Sequence, residues 1–376
     1  MLGYTSLAAY AYCLYALAPF LTLLRRDLGF SYLVMSLHST AFAAGNLLSG
    51  LLFARALRLL GRHHLFWLSA LGTALGAALL ITGTGTALTF PAAALLGITG
   101  LMLQTSSLAL LSAHHPHHRD RALVEANAGA SLAAVLAPAL TGSLDGTALG
   151  WRTGMVLPIG ALALLHLLGR GRPLPEHTPA VAAQGPGRMP GIFWLRCAAL
   201  GSVAGIEFGM VFYGAQLLDA RLDLGISRAA TLMTLFALGI LIGRVVGSRL
   251  VIGQGRAPRL LLGSLLLTAV GYGTFWLSHS TVLAGAALLV AGCGVANLFP
   301  LAFSHAIAAV PERSDVGAAR NQFVVSAAIM AAPLALGALS DRVGVSSAFT
   351  MLGPLIAAAL VLVSLGARDG AGPAAS

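Results

Sequence analysis

Glu207 is a carboxylate inside an otherwise apolar run, where an ionised side chain costs about 2.5–3.5 kcal/mol on insertion scales and is kept when it faces a cavity or a partner. Counted from Ile192 at 1.5 Å per residue, it lies roughly 22 Å along the helix, the only acid deep in any apolar run of the chain. Gly201, Gly205 and Gly209 form a small-residue stripe on the same run, suited to close helix packing, and Glu207 sits about 200° around from Gly205. The carboxyl therefore points away from that contact. It could carry a proton, or it could be a hydrogen-bonded structural acid.

Further polar groups lie in other apolar runs. Tyr4, Tyr12 and Tyr15, spaced eight and three apart, are expected to share one helical face, as substrate contacts at Tyr12 and Tyr15 or as an aromatic packing seam. Gln104, Thr105 and Asn297 are candidates for the same cavity or for interhelical hydrogen bonds. His114, His115, His117 and His118 surround Pro116, a metal-like or pH-sensing composition that equally suits a solvated loop. His38 is a second protonatable group or a packed imidazole. Cys13, Cys197 and Cys293 are far apart with no CxxC spacing, so neither a zinc site nor a disulfide framework is indicated.

The elements that position these residues are membrane spans. Of 376 residues, 57% are hydrophobic and 9% charged, against roughly 25% charged in a soluble domain, so a water-soluble fold could not cover itself. Runs near the 20 residues needed to cross a bilayer recur along the whole chain. The periodicity and breaks predict six in the first half, over 4–24, 33–53, 65–81, 88–111, 122–142 and 151–168, and six in the second, over 192–218, 229–252, 260–277, 282–303, 321–339 and 348–365. The first starts almost at Met1 without a basic leader or a small-residue cleavage site, so it reads as a span and not a signal peptide. A Pro-rich stretch from Arg170 to Gly191 separates the halves. The predicted organisation is a bundle over 1–169, a linker over 170–191, a second bundle over 192–366 and a tail over 367–376.

The halves repeat. At an offset of 195, Gly97 falls on Gly292, Pro116 on Pro311, Asp120 on Asp315, Pro138 on Pro333 and Gly142 on Gly337; at 196, Leu28, Gly29 and Ser31 fall on Leu224, Gly225 and Ser227. Residues that set backbone geometry dominate these matches, which argues for a duplication over shared hydrophobicity. The net charge of +10 comes with 22 basic residues, all Arg, spread through short loops instead of one patch, which excludes a nucleic-acid footprint. With both termini cytoplasmic, 16 of these arginines fall inside and six outside: Arg25, Arg26, Arg152, Arg221, Arg228 and Arg342. Arg25 and Arg26 run against the positive-inside trend.

Two six-helix halves joined by a cytoplasmic linker resemble the major facilitator superfamily over essentially the whole chain. That family carries G-x-x-x-D-R-x-G-R-R between the second and third spans and again between the eighth and ninth. Gly50, Arg55, Gly61 and Arg62 match its Gly and Arg elements, with Ala54 in the place of the Asp and about one helical turn inserted before Gly61. Gly243, Arg244, Gly247 and Arg249 resemble the second copy, again without the acid. Leu28-Gly29-Phe30-Ser31, Gly150-Trp151-Arg152 and the stretch from Gly337 to Gly344 are similar to the family's external loops. Gly292, Gly294, Asn297 and Pro300 resemble the kinked tenth helix of fucose-permease-like members.

The resemblance implies an all-α, twelve-helix fold with alternating access, in which the first, fourth, seventh and tenth helices line a central path. It makes Glu207 the expected proton carrier and the signature residues a gate. Glu125 and Arg320, equivalent at the 195 offset, are expected to replace the missing acid as a gating ion pair. The expected partners are a small organic solute, neutral, weakly polar or cationic, together with protons and the lipid bilayer, in a monomer of the bacterial cytoplasmic membrane without cofactor or metal. Efflux of amphipathic compounds and a non-transporting sensor are the alternatives. A membrane-embedded enzyme would need a ligand cluster or a nucleophile with its base in the spans, which the lone Glu207 does not supply.

Overall fold

A computed structural model describes residues 1–114, 119–169, 171, 188–250, 257–311 and 314–368. Fourteen α-helices follow one another among these: α1 (Leu2–Leu28), α2 (Tyr32–Thr82), α3 (Thr86–His114), α4 (Arg119–Ser143), α5 (Val156–Gly169), α6 (Gly191–Leu222), α7 (Ile226–Leu232), α8 (Thr234–Leu250), α9 (Ala257–Leu277), α10 (Thr281–Val295), α11 (Leu298–Ile307), α12 (Ser314–Val343), α13 (Val345–Ala348) and α14 (Leu352–Arg368). Short 3₁₀ turns over Trp151–Met155 and Phe349–Met351 lead into α5 and α14. Ten stretches are long and apolar enough to cross a membrane. The 51-residue α2 holds two of the predicted spans, and α4, with 25 residues, covers the predicted fifth.

The second and third spans meet differently from expectation. Residues 54–64 read as a loop, yet helix continues through them and breaks at Gly61 alone, with φ 70° and ψ 166°. The residues from Ala54 to Leu60 are strong helix formers, and only glycine takes the geometry of Gly61 cheaply. Two other spans predicted as single helices are interrupted, the eighth at Met233 between α7 and α8 and the tenth at Ala296 and Asn297 between α10 and α11.

The chain forms two compact units, one from the described residues of Met1–Ala180 with Leu224–Thr234, the other from those of Val181–Asp223 with Leu235–Ser376. The first turns of the eighth span thus belong with the first half, where α7 packs on α4 and α1. In the first unit, a Cβ on Gly45 would lie 2.3 Å from the Ala94 carbonyl oxygen, and one on Gly97 2.1 Å from that of Phe42. In the second, a Cβ on Gly239 would lie 2.3 Å from the Leu289 oxygen and one on Gly292 2.2 Å from that of Phe236. Phe42 and Gly45 map onto Phe236 and Gly239 at 194, and Ala94 and Gly97 onto Leu289 and Gly292 at 195. One backbone-to-backbone helix crossing, possible only where side chains are absent, has been built twice.

A second device recurs. Gly150 and Gly344 each hold a positive φ, at 75° and 79°, before the turns into α5 and α14. The carbonyls of Gly154 and Phe349, 195 apart, each accept a buried tyrosine hydroxyl at 2.8 Å. The donors differ: Tyr12 from α1 in one half and Tyr272 from α9 in the other.

Candidate functional site

Glu207 stands in the middle of α6 and is 8% exposed. The glycine stripe does what its spacing implies. A Cβ on Gly201 would meet Val324, one on Gly205 Leu355 and Ala332, and one on Gly209 Leu352 and Leu336, at 2.8–3.3 Å. That face packs on α12 and α14, so the carboxyl is directed to the opposite side of α6, shared with Leu200, Gly214 and Leu218. These neighbours are apolar and buried.

On α1 the three tyrosines lie within an arc of about 80°, with Tyr12 at its inner edge. Eleven residues from Tyr4 to Tyr15 amount to about 1100°, a 20° offset, whereas eight from Tyr4 to Tyr12 leave about 80°. Tyr4, Ala8, Ala11 and Tyr15 form the partly open stripe of the helix. Tyr12 is 3% exposed with its hydroxyl on Gly154, so it holds the fold and Tyr15 remains the candidate contact.

Contacts between Gly3 and Leu111, Ser6 and Ser107 (2.7 Å), and Tyr10 and Gly100 set α1 antiparallel to α3. Gln104 falls between the last two levels and is half-buried; Thr105 is exposed and donates its hydroxyl to the Leu101 carbonyl.

Asn297 sits where α10 gives way to α11. Its Nδ2 donates to the Gly243 carbonyl at 2.8 Å, and its side chain fills the space a Cβ on Gly247 would need. Gly243 is itself closed in by Cys293 and Ala296. Three residues picked for transport or gating here pin α8 to the tenth span. Gly50 and Arg55 are exposed on α2, Arg62 follows the Gly61 break half-buried, and Arg244 is exposed on α8.

His38 is fully buried, its Nδ1 2.8 Å from the Val34 carbonyl, its Nε2 2.7 Å from the Thr89 hydroxyl, its ring stacked between Phe30 and Phe90. It is packed. The side chain of His114 and all of His115, His117 and His118 lie outside the described residues. Glu125 is exposed in the first unit, and in the second Arg320 places its guanidinium 5.7 Å from the centre of the Trp194 ring.

Two charged groups acquire roles that their spacing did not suggest. Arg196, counted as a loop-end charge, is 7% exposed within α6 and donates from Nη1 to the His305 carbonyl and from Nη2 to the Gly366 carbonyl, both at 3.0 Å. Those carbonyls belong to the last turns of α11 and α14, where a cation complements the helix dipole. Arg26 clasps Asp145 in the turn after α4, Nη1 to Oδ2 at 2.6 Å and Nη2 to Oδ1 at 2.9 Å, a bidentate pair. Ser227, next to the start of α7, donates to the same carboxylate, and Asp27 accepts from both Arg26 and the Trp151 indole.

The hydrogen bond from Arg26 holds the Asp145 carboxyl below the usual carboxylate range, against the opposing effect of partial burial, and Ser227 adds to the lowering. Because the folded value is depressed, this contribution is fully present above the ordinary value of 3.8 and is lost only as the pH falls through the folded value. We expect Asp145→Asn and Arg26→Gln each to lower stability by about 1 kcal/mol, the upper end for a partly exposed pair. The double variant should cost no more than the worse single one in thermal unfolding at pH 7; fully additive losses would mean that the pair carries no coupling.

Comparison with known proteins agrees with this architecture. The Major Facilitator Superfamily profile matches residues 4–319 and, in a second match, 197–374. An uncharacterised MFS-type transporter of Yersinia pestis is 28% identical over 143 residues, 38% of this chain and 37% of that protein's length. Among solved structures, a bacterial homologue of the human lysosomal transporter Spinster superposes with a TM-score of 0.78 at 14% identity, covering 99% of this chain and 98% of that one. The nucleoside transporter NupG does so with 0.72 at 12% identity, covering 97% and 96%. Matched over nearly all its length, and built from two pseudo-symmetric six-helix bundles, the chain belongs to the Major Facilitator Superfamily and is a multi-pass membrane transporter.

Proposed function

We propose that this transporter moves a small organic solute by alternating access, with Glu207 carrying the coupling proton. The observation that supports the reading is a carboxyl held in the middle of α6, buried, and turned away from the face that packs on α12 and α14. A group so placed gains or loses its charge at a large solvation cost, so its protonation state is tied to whether its surroundings are open to water. Tyr15, Gln104 and Thr105 supply aromatic and neutral polar contacts for the solute, which suits a neutral, weakly polar or cationic compound. Arg196 is spent on helix-end carbonyls, five residues into its helix, and does not offer an anion site in mid-span.

Both termini lie in the cytoplasm in this reading, of a bacterial inner membrane. Four of the six arginines that it puts outside are occupied within the fold. Arg25 stacks over Tyr32 at 3.6 Å, Arg26 grips Asp145, Arg152 donates to the carbonyls of Ile81 and Gly83 at 2.8 and 2.9 Å, and Arg221 lies 3.4 Å from the His279 ring. Charges so engaged are not the free loop charges that set orientation.

In proteoliposomes with an imposed pH gradient, Glu207→Gln should abolish gradient-driven accumulation while leaving exchange of solute down its own gradient. Accumulation equal to wild type would remove Glu207 from coupling. In the same vesicles, reversing the charge of either Glu125 or Arg320 should lower flux and reversing both should restore it, if the two form the gating pair.

A further inference from the structure

Within the second unit, α8 and α9 do not close on each other. Between them lies a cleft of about 290 Å³, floored by Cys293, Asn297 and Leu301 of the broken tenth span. Its walls are Ile242 and Val246 on α8 and Leu260 and Leu267 on α9, and its width comes from glycines. Gly243 and Gly247 let the floor rise against α8, whereas a Cβ on Gly263 would meet nothing within 4 Å, so its missing side chain is open cleft.

The cleft opens on an apolar face. Ile242, Val246 and Leu267 at its rim are 40%, 50% and 41% exposed, and they continue into Leu266 and Val270 along the outer side of α9. On a spanning helix, such a face meets acyl chains. Arg259, in the first turn of α9, is the one charged residue of the lining among the described residues and is exposed at the cleft's end. From Arg259 to Leu267 the groove runs about 12 Å along the helix axis. It therefore has the layout of an amphiphile, one cation at the end of an apolar slot.

We propose that this cleft is a binding site for an anionic phospholipid, with the phosphate on Arg259 and an acyl chain lying between α8 and α9 over Asn297 and Leu301. Basic pockets between membrane helices bind anionic head groups in this way. A free anion would use Arg259 but leave the slot empty, and a zwitterionic lipid would fill the slot while its own ammonium competes for the phosphate.

The test uses the full-length protein purified in detergent, with its unfolding midpoint read against added phosphatidylglycerol, phosphatidylcholine of the same chains, or inorganic phosphate. Phosphatidylglycerol should stabilise more than phosphatidylcholine, and phosphate alone should do nothing. Arg259→Gln should raise the phosphatidylglycerol concentration needed for half the effect by about fivefold, the contribution of one arginine at an anionic lipid surface. Gly263→Leu, which fills open space and so leaves the fold intact, should remove the response to both lipids. Equal responses to the two lipids in the wild type, a phosphatidylglycerol response unchanged in both variants, or a phosphate response as large as the lipid's would each overturn the proposal. As a check independent of variants, phosphatidylglycerol carrying a photoactivatable acyl chain, irradiated with the wild-type protein in nanodiscs, should label 242–247 or 260–267; labelling confined to other segments refutes the site.

Discussion

Alanine at Gly97 or at Gly292 is expected to cost the purified transporter about 3 kcal/mol or more, the upper range for overpacking, which is roughly 6–12 °C in unfolding midpoint for a bundle of this size. The added methyl would sit 2.1 or 2.2 Å from a carbonyl oxygen of the facing helix. Backbone cannot turn away as a flexible side chain can, so the two helices must separate, and every contact along the crossing loosens with them. Small residues matter at such crossings because lipid tails are as apolar as leucine, leaving close packing to hold helices together. The contrast is Gly50, where a Cβ would meet nothing within 4 Å; alanine there should raise the midpoint by about 1–4 °C, since it removes only glycine's unfolded-chain freedom. Scanning fluorimetry of the variants in one detergent decides it. Equal small shifts at all three positions would mean that the crossings relax freely.

Arg196→Ala is the second large effect, expected to cost about 3–5 kcal/mol. Two charge-assisted hydrogen bonds at roughly 1.5–3 kcal/mol each are lost, and the His305 and Gly366 carbonyls are left without their donor at the ends of two helices. Arg196→Lys should recover less than half of that loss. An ammonium is a point charge, and it cannot present two separated N–H groups to two carbonyls in the plane of a guanidinium. The readout is again the unfolding midpoint, with limited proteolysis of the segment after α14 as a local probe. A lysine variant as stable as wild type would show that charge alone matters there.

Much of the fold was legible because a bilayer imposes one period and one length on every span. The duplicated glycines were legible too, since residues with no side chain keep their register only where backbones meet, as Gly97 and Gly292 do. What stayed hidden were the contacts between segments distant in sequence. Arg26 looked like an orientation conflict because Asp145, 119 residues away, cannot be paired with it by spacing. Arg196 resembled any basic residue at a helix start, and only the fold brings the ends of α11 and α14 to it. Tyr12 shares the arc of Tyr4 and Tyr15, and only the fold brings the Gly154 carbonyl to its hydroxyl. The break at Met233 carries no proline or positive-φ glycine to announce it, whereas the one at Ala296 lies four residues before Pro300, which has no N–H to give the Ala296 carbonyl. Glu207, by contrast, stood out from composition alone, because one carboxylate among apolar neighbours is conspicuous whatever the tertiary structure.

The duplication also left two copies of one serine with different employment. Ser31 accepts from the Val34 amide and so begins its own helix, whereas Ser227, its counterpart, lies inside α7 behind a glycine N-cap and gives its hydroxyl to Asp145. A seven-residue helix is too short to persist alone, and this one is held by its packing on α4 and α1. α7 is therefore a lodger in the first unit, seated there by its fully buried Ala229 and Ala230, by the Ser227 hydroxyl and by the contact at Gly142.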